Sequence, residues 1–133
     1  MSALNRTATS LLMLRLSIFA VMLVWTLDKF INPAHAARVY ERFYFISGLG
    51  ETEFVVIGVA ELALLAAFVV GWRKRWTYGA VFALHAVSTL SSYQQYLAPF
   101  EYATNLLFFA AWPMLAACFT LYNLRHLDTR LTL

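Results

Sequence analysis

Residues 54–72, FVVIGVAELALLAAFVVGW, form an apolar run interrupted by one ionisable side chain, Glu61. An α-helix needs about 20 predominantly apolar residues to cross the hydrocarbon of a bilayer. This run is long enough, and it sets the reading of its neighbours. Residues 11–31 qualify, with Arg15 near the start and Asp28-Lys29 near the end. Residues 76–96 are the most polar stretch, with His85, Ser88, Thr89, Ser91, Ser92, Gln94 and Gln95. Residues 102–122 carry Asn105 near the start and Pro113 inside. Lipid offers the backbone no hydrogen-bond partners, so spans must be helices or closed barrels. The expected fold is all-α: an integral membrane four-helix transmembrane bundle, one domain over residues 1–133.

Composition points the same way. The chain is 62% hydrophobic and 13% charged, against about 45–50% and about 25% in soluble domains. A soluble domain of this size leaves too much surface in water to hide so much apolar area. The net charge of +3 speaks to topology rather than to nucleic acid. Arg6, Arg15, the Arg73-Lys74-Arg75 turn, Arg125 and Arg130 would share one side, and Lys29, Arg38 and Arg42 the other. The positive-inside rule then places both termini in the cytoplasm. Trp72, Trp76, Tyr96, Tyr102 and Tyr122 fall near span ends, where an aromatic belt would sit. Ala34-His35-Ala36 resembles a signal-peptide cleavage site, but Asp28, Lys29 and Pro33 interrupt the segment, and the first span is expected to be retained. The single cysteine, Cys118, excludes an internal disulfide or a CxxC redox pair.

The first external loop has its own helix signal. Asn32 is a good N-cap and Pro33 a good first helical residue, which predicts a helix over 33–47 that stops at Gly48 and Gly50. Ala36, Val39, Tyr40, Phe43 and Ile46 recur three or four apart, away from His35, Arg38 and Arg42. That pattern suits a short helix in the membrane interface or over the mouth of the bundle.

Ionisable residues inside a span cost several kcal/mol unless they face the interior and find partners. Glu61 lies about 10–12 Å, and His85 about 15 Å, below the outer ends of their helices at 1.5 Å rise per residue. A Glu61–His85 hydrogen bond across adjacent antiparallel helices would satisfy both. Ser88, Ser92 and Gln95 share the face of His85, with Thr89 beside it. Trp25 and Asp28 lie one turn apart near the outer end of the first span, and Asn105 lies one turn into the fourth. The pocket candidates are therefore Glu61, His85, Trp25, Asp28, Ser88, Ser92 and Asn105. The same residues could serve only as hydrogen-bonding glue between helices, at about 0.6 kcal/mol each. On the other side, Arg15 is expected to snorkel to the headgroups; Lys29, on the outer side, is expected to pair with Glu53 or Glu101, or to snorkel. Pro113 is expected to kink the fourth helix and free the carbonyl of Phe109.

Several chemistries lack their residues. No HxxxH, CxxC or Glu-x-x-His spacing occurs, so no metal site is expected. One intramembrane histidine excludes bis-His haem ligation. There is no GxSxG and no serine with a base and an orienting partner.

Arg15 in the first span, followed by Trp25-x-x-Asp28-Lys29-Phe30-x-Asn32-Pro33, resembles the start of DoxX-like membrane proteins. Gly58-x-x-Glu61 in the second span, Gly71 at its end and the four-span layout are also similar. The resemblance implies a four-helix bundle in the bacterial inner membrane, associated with redox or stress-response complexes. The family's name comes from small subunits of a thiosulfate:quinone oxidoreductase. Only Glu61 can be matched to a family functional position, and thiosulfate as a substrate does not follow. Three functions stay open. The chain is a membrane subunit of a redox complex with a pocket for a quinone or similar small molecule, a structural or assembly partner, or an oligomeric conduit for a small solute or protons. It is not expected to be an enzyme on its own or to carry an intrinsic cofactor. Its expected partners are the lipid bilayer and other membrane subunits or further copies of itself.

Overall fold

The computed structural model describes all residues, Met1–Leu133. It is all-helical: α1 (Ala3–Ile31), α2 (Pro33–Tyr44), α3 (Glu51–Val69), α4 (Lys74–Ser91), α5 (Tyr93–Leu97) and α6 (Ala111–Asn123), with 3-10 turns at Ala103–Ala110 and Arg125–Leu127. Three helical stretches are long and apolar enough to cross a membrane: Ala3–Ile31, Glu51–Val69 and Ala103–Asn123. This is a membrane protein, and its surface fits a lipid environment. Val24, Val56, Leu107 and Phe119 are more than half exposed, an arrangement that water would oppose and lipid permits.

α1 packs along α3 and α4 along α6, while α3–α4 and α1–α6 contacts close the circuit. Its core is Leu11, Ile18, Met22, Leu65, Phe68, Tyr78, Val81, Cys118 and Leu121. Both termini and the Arg73 turn lie at one end, here the basic end. α2 lies at the other.

The boundaries follow local chemistry. α1 begins earlier than expected because the Ser2 hydroxyl accepts from the Asn5 N–H at 3.2 Å and caps it. The start of α3 is held by Glu53, whose carboxylate accepts from the Gly50 N–H at 2.9 Å. α2 ends at Tyr44, short of Gly48. Phe45 takes the left-handed conformation (φ 58°), and the Ile46 N–H closes on the Tyr40 carbonyl at 3.1 Å. The last long segment changes character at Ala111, from 3-10 helix to α-helix. Pro113 stands in the first turn of α6, where its missing N–H costs nothing. It has no proton for the Phe109 carbonyl, so the α-helical ladder does not continue back through that point.

Candidate functional site

A crevice of about 630 Å³ runs between α1, α4 and the 3-10/α6 segment. α1 supplies Leu14, Ser17, Ile18, Val21 and Trp25, so the crevice extends about 16 Å along the helix axis at 1.5 Å per residue. α4 supplies His85, Ser88, Thr89 and Ser92 on one helical face. Leu107, Phe108, Ala111 and Met114 complete it. The walls are mostly apolar with a few convergent polar groups, the usual make-up of a small-molecule site.

His85 is the central residue and is 1% exposed. Its Nε2 lies 3.0 Å from the Ala111 carbonyl and 3.2 Å from the Thr89 hydroxyl. The Thr89 hydroxyl donates to the His85 carbonyl at 2.8 Å. A carbonyl can only accept, so Nε2 carries the proton, and in the neutral ring Nδ1 is left as an acceptor. Nδ1 is buried and has no hydrogen-bond partner in the protein. The Trp25 indole stacks on the imidazole, with centroids 6.0 Å apart and planes 20° from parallel. Ser88 accepts from the Tyr44 hydroxyl at 3.2 Å, tying α2 to α4. The Ser92 hydroxyl donates to the Ser88 carbonyl at 3.3 Å.

The other expected residues go elsewhere. The Glu61–His85 hydrogen bond does not form. Glu61 instead accepts from Lys29 at 3.1 Å and from the Thr26 hydroxyl at 2.9 Å, at the α1–α3 interface away from the crevice. Lys29 therefore pairs with neither Glu53 nor Glu101: at 9% exposure it needs the nearest carboxylate at its own depth. Asp28 faces the loop, 2.6 Å from Nδ1 of His35. Asn105 is buried and donates to the Ala98 carbonyl at 2.8 Å. It lines a separate cleft beside α2. No group of three His, Cys, Asp or Glu side chains is placed to hold a metal ion.

Arg15 does not snorkel. It is fully buried and bonds Asp128 at 2.6 Å, the Tyr78 hydroxyl at 3.3 Å, and the carbonyls of Arg130 and Leu131 at 2.6 and 3.1 Å. Tyr78 donates to the same Asp128 oxygen at 2.6 Å, and Lys74 holds the Asp128 carbonyl. The C-terminal tail thus folds under the basic end of the helices as a strap. The signal for this cluster was Arg15 itself, a guanidinium in an apolar run that needed a partner. Asp128, in a polar tail, gave no sign of being that partner.

No protein-family model, curated protein or solved structure matches this chain. The DoxX-like resemblance therefore rests on its short motifs, and the crevice must be read from its own chemistry.

Proposed function

We propose that this chain is a DoxX-like protein of the bacterial inner membrane, with four spans and both termini in the cytoplasm. We further propose that it serves as the quinone-binding membrane subunit of a redox complex without catalysing a reaction alone. The fourth span would be α4. Support comes from the way it turns its polar face inward (Thr77, Tyr78, His85 and Thr89 buried) and its apolar residues outward, with Trp76 68%, Val87 58% and Leu90 63% exposed. That is the reverse of a helix facing water and the expectation for one facing lipid. The orientation is supported by the gathering of Arg6, Arg73, Lys74, Arg75, Arg125 and Arg130 at one end.

The single observation behind the ligand assignment is the enclosed, unpartnered Nδ1 of His85, a residue that lines the crevice, with Trp25 stacked on the ring. An acceptor nitrogen in an apolar slot calls for a hydroxyl donor, and a planar ring can slide against the indole. A quinol offers both. His85 would accept the quinol O–H, and the ring would lie against Trp25 and Phe108. Ser88 and Ser92 stand farther along α4 for the second oxygen. Glu61 and Asp28 hold helices and loop together in this reading, so the glue function belongs to them.

Quenching of tryptophan fluorescence by a short-chain quinol, with the protein in lipid nanodiscs, tests the proposal. The wild-type chain should bind saturably. His85→Phe should weaken binding at least ten-fold, as expected for a lost hydrogen bond to a buried partner. Glu61→Gln should leave affinity unchanged. Equal affinity in His85→Phe, or no saturable quenching at all, would refute the assignment.

A further inference from the structure

The second cleft, about 870 Å³, lies between α2 and the start of the last long segment. Arg38 and Arg42, one helical turn apart on α2, stand on one side, with Tyr102, Thr104 and Asn105 opposite. Lys29, at the same end, is already neutralised by Glu61, and the His35 ring is held by Asp28. Arg38 and Arg42 form no ion pair, and Glu41 is the one carboxylate lining the cleft. The cleft is therefore net positive.

Arg42 is also held in place. Its guanidinium lies 5.4 Å from the centroid of the Phe43 ring. The Gln95 amide, oriented to satisfy both neighbours, accepts from Arg42 Nη2 at 3.2 Å and donates to the Ser92 carbonyl at 3.2 Å. Gln95 is 4% exposed. One edge of the guanidinium fork is thus fixed by a buried residue, leaving its other N–H groups for a ligand. The floor is apolar: Phe43 meets Phe108 at 5.7 Å between centroids. Beyond Phe108 the helix surface turns toward lipid, with Leu107 73% exposed. Cationic forks above and apolar surface below match the boundary between headgroup and acyl chain.

We propose that this cleft binds the phosphate of an anionic phospholipid, with Arg38 and Arg42 on the phosphate oxygens and the glycerol end of the chains against Phe108 and Leu107. Arginine suits this role because its planar fork takes two phosphate oxygens at once. The two arginines stand outside the crevice, whose wall shares Phe108 and Leu107 with the apolar end of this site, and the proposal does not depend on a quinone.

Native mass spectrometry of the protein in a neutral detergent, with phosphatidylglycerol added, provides the test. The wild-type chain should retain one phosphatidylglycerol at collision energies that strip phosphatidylcholine. The Arg38→Gln/Arg42→Gln variant should retain it at least ten-fold less while staying folded, its melting temperature lowered only by the lost Arg42–Gln95 bond. Arg42→Lys keeps the charge but loses the fork, and should fall between the two. Arg73→Gln/Arg75→Gln, at the opposite end, should behave as wild type. Equal retention in the Arg38→Gln/Arg42→Gln variant would overturn the proposal, as would an equal loss in Arg73→Gln/Arg75→Gln. Inorganic phosphate should not displace the lipid at millimolar concentration. Displacement would make this a site for a free anion and would also overturn it.

Discussion

Lys29 and Glu61 face each other across the α1–α3 interface, with side-chain exposures of 11% and 20% and one hydroxyl, Thr26, beside them. Removing one partner of such a pair strands the other charge, whereas removing both removes the cost of burying either. Lys29→Met should therefore destabilise the protein by about 2–4 kcal/mol, somewhat less than a fully buried pair because water still reaches Glu61. The double variant Lys29→Met/Glu61→Leu should recover most of that loss in thermal unfolding followed in detergent. If the double variant is as unstable as the single one, the pair does more than neutralise charge. Tyr40 offers a pH test in the same neighbourhood but outside the spans. Burial pushes its phenol up to about 12, with Glu61 and then Tyr44 adding to the effect. The folded state thus holds the neutral phenol more strongly than the unfolded chain, whose tyrosine ionises near 10. Stability should be unaffected by this group below pH 10 and should fall as pH rises from 10 to about 12. In Tyr40→Phe that alkaline decline should be shallower; an identical slope would assign it to other groups.

At the scale of the element, Gly58 shows how a short motif can be legible while its purpose is not. A Cβ there would stand 2.5 Å from the tip of the Phe30 ring, so the glycine lets α3 approach the end of α1. Gly58→Ala should cost about 1–3 kcal/mol by overpacking, and Phe30→Leu in the same chain should restore part of it by making room. No loss in Gly58→Ala would mean that Phe30 swings freely into lipid. The apolar runs of α1, α3 and the last segment were readable because their length has little meaning outside a membrane. The stripe of His85, Ser88 and Ser92 was readable because side chains three or four apart share a helical face. The partners were not, since depth along a helix says how far a residue sits from the end and nothing about which neighbour it turns toward. Glu61 and His85 have matching depths, yet Glu61 turns to α1 and His85 to Ala111. The 3-10 stretch Ala103–Ala110 was hidden for a related reason: its residues are as apolar as those of an α-helix, and only Pro113 hinted at a break.

Taken whole, the molecule presents the Arg38–Arg42 cleft at one end and closes the other with its own tail. Arg15, Tyr78 and Asp128 are linked by bonds of 2.6–3.3 Å, the Leu133 N–H reaches the Val70 carbonyl at 2.8 Å, and Thr132 packs on Gly71 so closely that a Cβ there would lie 2.7 Å away. Leu131 lies in the left-handed region at φ 49°, a strained position for a bulky side chain that the surrounding contacts must hold. Nε of Arg15 and Oδ1 of Asp128 are enclosed there without a hydrogen-bond partner in the protein. Deleting residues 128–133 would leave Arg15 charged in an apolar interior, at a cost of about 3–5 kcal/mol. It would also free Tyr78 from Asp128, and Tyr78 belongs to the core that holds Leu121 and Cys118, the latter 3% exposed. Cys118 is the single cysteine, which makes it a built-in reporter. A water-soluble maleimide should label it slowly in the full chain and at least ten-fold faster in the truncated one. General loosening could give the same result, so the truncation should be repeated with Arg15→Met, which removes the stranded charge and restores much of the stability. If the strap seals this end, labelling stays fast in that stabilised chain. A return to the slow rate would show that the tail matters only as the counter-ion of Arg15.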